Sequence, residues 1–411
     1  MEFLNFNDTI FHNMGENNTL FSSTTIGIMD IDGVVGEQFW KQKIIEVIQK
    51  YPKFSKIVTN EYGNLHWKKI KFQVNEHLQV IQDDEFNDEK YLEFLDNIIN
   101  TPFKKNLPQW NWYVIIYNNK THTIFRWAHS YGDGDFIINN IVKEICGENY
   151  TPTNTASKNS SKNSFTNNIF KIFQSIYYFI VSLFSILYFL LFFKKEKIFD
   201  TPKENCRAKW KKIHTFDLNL LKEKKNNLNI TINDLLYGII LDSLKKYANK
   251  DNINISSSSV FSLRNSQNKF NEFNNFAFVM FSTPVGNTDL YKNISKQMNY
   301  YKKSPIIPCI TNLFKCIFHI YSPLVIKFLD FVFNKNHFGY SNFNSNQNPS
   351  NIFINNKKIY NFHNFVIPYK QDVFFSLFSY DNKVILNMCY KDGTINESKL
   401  MSCFTQVING L

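Results

Sequence analysis

The sequence lacks the cysteine spacings that mark metal sites. None of the six cysteines forms a Cys-x-x-Cys pair, and no histidine accompanies them at metal-ligand spacing. We therefore expect no bound metal, and reduced thiols in a protein that faces the cytosol. The cysteines are Cys146, Cys206, Cys309, Cys316, Cys389 and Cys403.

Signatures of nucleic-acid binding are also missing. No helix-turn-helix pattern or aromatic RNA-binding signature is present, and the basic residues are scattered instead of forming one stripe. The formal net charge of +11, from 46 basic and 35 acidic residues, nevertheless favours an anionic partner. We expect an acidic membrane surface or the phosphates of a cofactor, and no nucleic acid.

A cleaved leader is not apparent either, because Met1 to Asp8 contains no cationic segment followed by an apolar core. The chain is instead well supplied with core-forming residues, because 44% of its residues are hydrophobic and 17% are aromatic. A chain of 411 residues with this composition forms one large or two medium domains.

One hairpin stands out in the first half of the chain. Residues 112–117 and 123–127 are mostly β-branched or aromatic, which predicts two strands. Asn118, Asn119 and Lys120 lie between them and predict the turn. His129 would therefore sit at the end of the second strand.

The residues after this strand form a glycine-rich turn. Gly132 and Gly134 flank Asp133, and the apolar run that starts at Phe136 predicts a helix. Such a turn can hold the His129 imidazole out into a cleft. Taken alone, a histidine at a strand end is more often a structural hydrogen-bonding residue than a catalytic base.

Further motifs change this interpretation. His-x-x-x-Asp-Gly after a strand resembles the active-site signature of coenzyme A-dependent acyltransferases with the chloramphenicol acetyltransferase fold. The flanking residues resemble one branch of these enzymes, the wax ester synthase / diacylglycerol acyltransferase family, over most of the chain. The landmarks are Tyr51-Pro-Lys-Phe54, Trp67, Phe72-x-Val74-x-x-His77, Thr101-Pro-Phe103, Pro108-Gln-Trp110, Thr231-Ile-Asn-Asp234, Phe261-Ser-Leu-Arg264, Asn274-Asn275 before Pro284, and Ser379-Tyr-Asp381.

The chain departs from the family pattern at two places. The family usually has two consecutive histidines, and here the first is Ala128 while the second, which carries the chemistry in the family, is present as His129. The usual Asn-Val-Pro-Gly-Pro turn is replaced by Ser341-Asn-Phe343 and an Asn-rich loop. The first departure concerns the shape or tuning of the site, and the second concerns a loop of the second half.

The resemblance implies an α/β fold of two chloramphenicol-acetyltransferase-like halves. Each half would be a mixed sheet with flanking helices, and the site would lie in a tunnel between them. The chain would divide into a first half over 1–150, a polar linker over 151–168, a hydrophobic membrane segment over 169–197 and a second half over 205–411.

The resemblance also implies roles for individual residues. His129 would be the general base, unperturbed near a pKa of about 6.5 and neutral at physiological pH. Asp133 would hold the turn through an arginine, for which Arg264 is the candidate, with a surface arginine as the alternative. Gly134 would let the backbone approach the thiol end of coenzyme A or avoid a clash in the turn.

Two residues of the second half are further candidates. Asn233 and Asp234 fall in the first turn of a helix that begins after Thr231. They are possible site residues, and the alternative is that they cap the helix and interact with its dipole.

The membrane prediction rests on residues 172–193, which contain no charged residue and are closed by Lys194-Lys-Glu-Lys197. A single crossing would separate the two halves that must build one site. We therefore expect a monotopic anchor or a re-entrant hairpin inserted from the cytosolic side, the alternative being a helix buried in the core. A second apolar region, 305–333, contains Pro308 and Pro323 and predicts an amphipathic pair of helices.

The resemblance implies an acyltransferase, and together with the uncharged run it leads us to expect a membrane-associated enzyme of the endoplasmic reticulum. It would transfer a fatty acyl group from acyl-coenzyme A, a substrate, to a long-chain alcohol or diacylglycerol, with no permanently bound cofactor. Acceptors such as a sterol or an amine are alternatives, as is a catalytically weak lipid-binding protein, which Ala128 favours. The sequence leaves the acceptor, the acyl length and the oligomeric state open.

Overall fold

The computed structural model describes most of the chain. The described residues are 2–17, 24–61, 64–83, 85–147, 193–202, 206–264, 272–286, 289–303, 306–344 and 352–410, with separate positions between 173 and 191. The predicted linker over 151–168 lies outside them.

The first half alternates strands and helices. Its elements are β1 (Glu2–Phe3), α1 (Phe6–Asn17), β2 (Thr25–Ile31), α2 (Glu37–Lys50), β3 (Lys56–Glu61), β4 (Asn64–Lys69), β5 (Leu78–Gln82), α3 (Asp88–Asn100), β6 (Trp110–Tyr117), β7 (Lys120–Trp127), α4 (Gly134–Phe136) and α5 (Lys143–Cys146), the last two joined by a π-helical segment (Ile137–Val142).

The second half has longer helices and ends in a hairpin and a helix. Its elements are β8 (Ala208–Asp217), α6 (Leu218–Leu228), α7 (Ile232–Ala248), β9 (Ile253–Ser262), β10 (Phe276–Val285), α8 (Leu290–Lys303), α9 (Ile306–Lys335), β11 (Phe338–Asn344), β12 (Phe353–Ile354), β13 (Lys357–Val366), β14 (Val373–Tyr380), β15 (Lys383–Lys391) and α10 (Glu397–Asn409).

The described strands form two six-stranded sheets and a small sheet of three. The first large sheet has the order β12-β13-β2-β7-β6-β5, and the second has the order β10-β9-β11-β14-β15-β8. Each contains parallel as well as antiparallel pairs, because β5 runs parallel to β6, and β11 runs parallel to β9 and β14. The predicted mixed sheets are confirmed.

A strand of the second half completes the first sheet. β13 pairs antiparallel with β2, with Asn364 opposite Gly27 and Phe362 opposite Met29. The proposed division at residue 205 stays a prediction, but residues 353–366 lie in the sheet of the other half. The two halves of the chain are therefore joined by backbone hydrogen bonds as well as by packing.

Both large sheets are covered by apolar helix faces. Trp40 and Ile44 of α2 and Ile141 of the π-helical segment pack on one face of the first sheet. Leu235 and Leu236 of α7 belong to the core of the second sheet. Burial of such side chains supplies most of the free energy that holds the layers together.

Local sequence signals account for several elements. The predicted hairpin is present, with Asn118 and Asn119 both at positive φ, which suits a two-residue turn between β6 and β7. Lys120 belongs to the second strand and not to the turn. Thr231 caps α7 through a reciprocal pair of bonds with Asp234.

The prediction of two helices over 305–333 is wrong, because α9 is one helix of 30 residues. Pro308 lies in its first turn, where no backbone N–H is required. The helix continues through Pro323, whose cost of about 3 kcal/mol is smaller than the gain from burying the apolar residues on both sides. Ile306, Val325 and Val332 are among these buried residues.

The predicted membrane segment is described only in part, and the positions described between 173 and 191 are helical. Within the part of the chain that the structure describes, no helix has both the length and the apolar character needed to cross a bilayer.

Candidate active site

The backbone that carries His129 is fixed from both sides. β7 pairs with β2 and with β6 over its whole length and ends at Trp127. His129 then begins a short 3-10 turn that ends at Tyr131. The Trp127 indole donates a hydrogen bond to the Gly132 carbonyl over 2.9 Å, which ties the turn back to the strand.

The crowded glycine of this turn is Gly132 and not Gly134. A Cβ atom on Gly132 would lie 2.9 Å from Cδ1 of Phe136, which is closer than real Cβ contacts come. At Gly134 the nearest atom would be Cδ2 of Phe343 at 3.6 Å, an ordinary contact. The expectation that Gly134 avoids a clash in the turn is therefore wrong, since its first-turn position leaves room for a side chain.

Asp133 organises the turn through both carboxylate oxygens. Oδ1 accepts a hydrogen bond from the Phe136 N–H at 2.8 Å and caps the helix. Oδ2 lies 2.7 Å from Nη1 of Arg264 and also accepts from the Asn275 N–H at 3.0 Å. Because both side chains of the ion pair are almost fully buried, the predicted partner Arg264 compensates the desolvation of the carboxylate.

The second-half candidates make their hydrogen bonds within the second half. Asn233 Oδ1 accepts from the Tyr340 hydroxyl at 2.9 Å and from Nδ2 of Asn342 at 2.8 Å. Asp234 exchanges hydrogen bonds with Thr231 and therefore acts as a helix cap. Asn342 precedes Phe343, the neighbour of Gly134, so β11 connects the start of α7 to the rim of the histidine turn.

Asn274 was a landmark in the sequence but not a predicted site residue, and it contacts the His129 ring directly. Its Oδ1 lies 3.3 Å from Nδ1 of His129, and its Nδ2 donates to the His129 carbonyl at 2.9 Å. Since Nδ2 faces acceptors, Oδ1 must accept from Nδ1 of the imidazole. The proton therefore lies on Nδ1, and Nε2 carries the free lone pair.

Burial keeps His129 neutral. Desolvation lowers its pKa to about 4, against the weaker raising effect of its hydrogen bonds and of the Asp8 carboxylate. The expectation of an unperturbed pKa near 6.5 is wrong, because aromatic side chains pack against the ring and remove water from it. Phe11 stacks on it with ring centroids 4.1 Å apart, and Phe276 lies at 5.2 Å.

Phe11, Asp8 and Lys53 are site neighbours that the sequence analysis missed. Phe11 and Asp8 lie on α1, and Lys53 forms an ion pair with Asp8. A signal for α1 was available, because Phe6, Ile10 and Met14 repeat at helical spacing.

A large apolar cavity lies next to the aromatic side chains that contact the histidine. Its volume is about 910 Å³, and Phe11 and Phe276, which both contact the His129 ring, belong to its wall. Further wall residues come from α9 and from the helical positions 181 and 184. Its size is at the upper end of the roughly 300–1,000 Å³ of ligand pockets, and its lining suits a lipid chain.

Two findings concern metals and thiols. Among the described residues no group of three or more histidine, cysteine, aspartate and glutamate side chains could hold a metal ion. All six cysteines are free, and burial raises the pKa of the Cys146 and Cys389 thiols, which makes them poor nucleophiles.

The chain matches known proteins in sequence over part of its length. Residues 274–411 match the family described as WS/DGAT C-terminal domain. Wax ester synthase/diacylglycerol acyltransferase 2 of Arabidopsis thaliana is 26% identical over 231 residues, covering 49% of this chain and 46% of that protein. Wax ester synthase/diacylglycerol acyltransferase 3 of the same plant is 25% identical over 220 residues, covering 49% of this chain and 45% of that protein. The match thus spans about half the length of these relatives, and it confirms the resemblance that the motifs carry.

Solved structures show the same fold. The wax ester synthase/diacylglycerol acyltransferase from Marinobacter aquaeolei VT8 has a TM-score of 0.60 at 11% identity, covering 99% of this chain and 98% of that one. The starter condensation domain of rhizomide synthetase in complex with C8-CoA has a TM-score of 0.66 at 8% identity, covering 99% and 93%. The trichothecene 15-O-acetyltransferase from Fusarium sporotrichioides has a TM-score of 0.65 at 11% identity, covering 98% and 93%.

Proposed function

We propose that the chain is an acyl-coenzyme A-dependent O-acyltransferase that makes wax esters or triacylglycerol. The acyl group would pass to the hydroxyl of a long-chain alcohol or of diacylglycerol. The observation that carries the proposal is a neutral His129, with its proton held on Nδ1, whose ring contacts two wall residues of an apolar cavity of about 910 Å³. The names of the two sequence relatives, wax ester synthase/diacylglycerol acyltransferase 2 and 3, describe the same chemistry.

His129 would act as a general base in a direct transfer. Nε2 accepts the hydroxyl proton of the acceptor while its oxygen attacks the thioester carbonyl. The new C–O bond forms, the C–S bond breaks, and the coenzyme A thiolate leaves and receives the proton back from the imidazolium. No covalent acyl-enzyme is needed in this transfer. The role of Asp133 and Arg264 is to hold the turn that carries His129.

The two substrates differ in polarity, and the chain offers a surface for each. The aliphatic chain of the acyl donor or of the acceptor suits the cavity between α1, β10 and α9. The phosphates of coenzyme A suit a chain with a net charge of +11.

We also propose that the protein docks on the cytosolic face of the endoplasmic reticulum membrane. The support is a row of exposed apolar side chains at the described helical positions between residues 173 and 191, which we call the apolar segment. Val181 and Phe184 of this segment also line the cavity. A lipid acceptor could therefore pass from the membrane surface into the cavity without crossing water.

The test is transfer of labelled palmitate from palmitoyl-coenzyme A by the purified chain. We expect ester formation with hexadecanol or diacylglycerol, and His129→Gln should lower turnover by about a hundredfold to ten-thousandfold. The matched control is His214→Gln, a histidine on β8, which should keep turnover near that of the parent.

The panel also includes a sterol and a long-chain amine. Transfer to one of these alone would replace the acceptor in the proposal. If the folded parent binds palmitoyl-coenzyme A but transfers to none of the acceptors, the lipid-binding alternative is correct. Full turnover by a folded His129→Gln protein would overturn the role of His129.

A further inference from the structure

α1 brings an acidic residue into the interior beside the histidine. Asn5 precedes the helix and its Oδ1 accepts from the Asp8 N–H at 2.8 Å, which stabilises the first turn. Ile10 and Met14 are buried in a cluster that also contains Phe276 and Val325. The apolar face of α1 thus holds Asp8 in a fixed place, where the residue is only 2% exposed.

Both oxygens of the Asp8 carboxylate are bound. Oδ2 lies 2.7 Å from Nζ of Lys53. Oδ1 accepts from Nδ2 of Asn274 at 2.8 Å, across 266 residues of sequence. A charge-assisted bond of this kind is about twice as strong as one between neutral groups.

Lys53 is an unusual partner because it is itself buried. Its Nζ lies 4.4 Å from the ring centre of Phe273 and 4.8 Å from that of Trp67. Burial lowers the pKa of Lys53, while Asp8 raises it. Since a buried ion pair adds little net stability over an apolar pair, its presence next to the site favours a role in fixing geometry.

Asn274 links the fixed Asp8 carboxylate to the imidazole of His129. Its Nδ2 also donates to the His129 and Ser130 carbonyls, but these belong to the turn that carries the histidine and move with it. Asn7 of α1 donates to the Asn274 backbone carbonyl at 3.2 Å, so the Asp8 bond is the one that fixes the side-chain amide of Asn274 relative to α1. Phe11, one turn further along α1, stacks on the same imidazole.

We infer that Asp8 is a positioning residue for His129, acting through Asn274. By binding Nδ2 of Asn274, the Asp8 carboxylate turns the amide oxygen towards Nδ1 of His129 and sets the tautomer that leaves Nε2 free. Lys53 holds the carboxylate in place. The inference rests on the proposed role of His129 as a base, but the arrangement can be measured without turnover.

Two double variants separate the hydrogen bond from the ion pair. Asp8→Ala with Lys53→Met removes the ion pair together with the acceptor for Asn274. Asp8→Asn with Lys53→Met removes the ion pair but leaves an amide oxygen that can accept from Asn274. The ¹⁵N chemical shifts of the His129 ring report its tautomer in selectively labelled protein, and His129→Gln identifies the signals.

We expect the parent and the Asp8→Asn/Lys53→Met protein to show a protonated Nδ1 and an unprotonated Nε2. The Asp8→Ala/Lys53→Met protein should show a mixture of tautomers. Its kcat should fall about tenfold to a hundredfold with little change in KM for palmitoyl-coenzyme A, because misplacement of a catalytic group by about 1 Å can cost a hundredfold.

Thermal unfolding checks that both double variants are folded. If the alanine variant does not fold, Asp8→Leu with Lys53→Met removes the same bond while filling the space with apolar side chains, and it should give the same tautomer mixture. Parent-like ring shifts in these variants would overturn the inference, as would equal changes in the alanine and asparagine variants. A tautomer that shifts as expected in a chain without transferase activity would instead overturn only the proposed function.

Discussion

At the scale of single residues, two neighbouring acids of the turn have different surroundings. Asp133 is in contact with Arg264 at 2.7 Å and receives two backbone N–H groups. Asp135 lies 3.4 Å from the same guanidinium, and its pKa is raised by burial and by the charge of Asp133. The arginine therefore compensates Asp133 first, and Asp135 adds charge that is less well compensated.

We expect Asp133→Asn to lower the free energy of unfolding by about 3 to 5 kcal/mol, since it leaves Arg264 buried with a weaker partner. Acyl transfer should fall together with stability. The matched control is Asp135→Asn, which should change the unfolding free energy by less than about 1 kcal/mol. Urea unfolding monitored by tryptophan fluorescence measures both. An Asp133→Asn protein as stable as the parent but inactive would show a direct chemical role instead.

At the scale of elements, the apolar segment is exposed along one side. Its side chains follow one another at steps of three and four residues, and Phe173 and Leu191 at its ends are 68% and 70% exposed. Tyr178 and Val181 pack against the core of the second half. The exposed residues at these steps are Phe173, Tyr177, Ile180, Phe184, Leu187 and Leu191, and the adjacent Ile176 and Leu183 are exposed as well.

The chain that follows the apolar segment is attached to the body of the protein. Lys195 forms an ion pair with Asp372 at 2.6 Å, and the His337 ring bonds the Glu196 carbonyl at 2.6 Å. The segment packs against the protein along one side and exposes apolar side chains on the other. This arrangement favours docking in the plane of the membrane interface over a crossing of the membrane. Both halves could then lie on the same side and share one site.

The membrane proposal predicts that the parent floats with vesicles of phosphatidylcholine and phosphatidylserine in a density gradient. Phe173→Ser/Leu187→Ser/Leu191→Ser should weaken binding at least about a hundredfold, because each large apolar side chain contributes about 2 kcal/mol on burial. The matched control replaces three exposed apolar residues elsewhere, Phe3, Ile45 and Leu92, with serine and should float like the parent. Flotation of the first triple variant at the parent level would rule out this surface.

At the scale of the whole molecule, two fully buried histidines connect distant parts of the fold. His337 accepts the Ser256 N–H at 3.0 Å and lies next to β9, and His363 on β13 lies 3.3 Å from Nδ2 of Asn387. Burial lowers the pKa of each to about 4. In the unfolded chain both side chains would have a pKa of about 6.5.

Stability should therefore depend on pH in a defined window. The neutral rings favour the folded state fully above pH 6.5, and this contribution is lost as pH falls from about 6.5 to 4, because the unfolded chain takes up the protons first. The loss is about 3 kcal/mol per histidine at pH 4. Urea unfolding at several pH values should show a steep fall for the parent and a shallower one for His337→Gln and for His363→Gln. Equal slopes in the three proteins would contradict this.

Much of the local structure could be predicted because it depends on neighbours in sequence. β-branched and aromatic runs with Asn118 and Asn119 between them give the hairpin, and Thr231 with Asp234 gives the capped start of α7. The position of His129 at a strand end follows from the same signals. Spacing did not predict that α9 continues through Pro323, since that depends on apolar neighbours from other elements.

By itself, the sequence determined which local elements form and which histidine the family motif singles out, because backbone propensities and capping bonds act within a few residues. The tertiary structure alone decided the surroundings of that histidine. Asn274 contacts Asp8, from which it is separated by 266 residues, and His129, from which it is separated by 145. In the same way, β13 of the second half enters the sheet of the first half. The His129 pKa near 4 is a result of this burial, and desolvation exists only once distant parts of the chain have packed together.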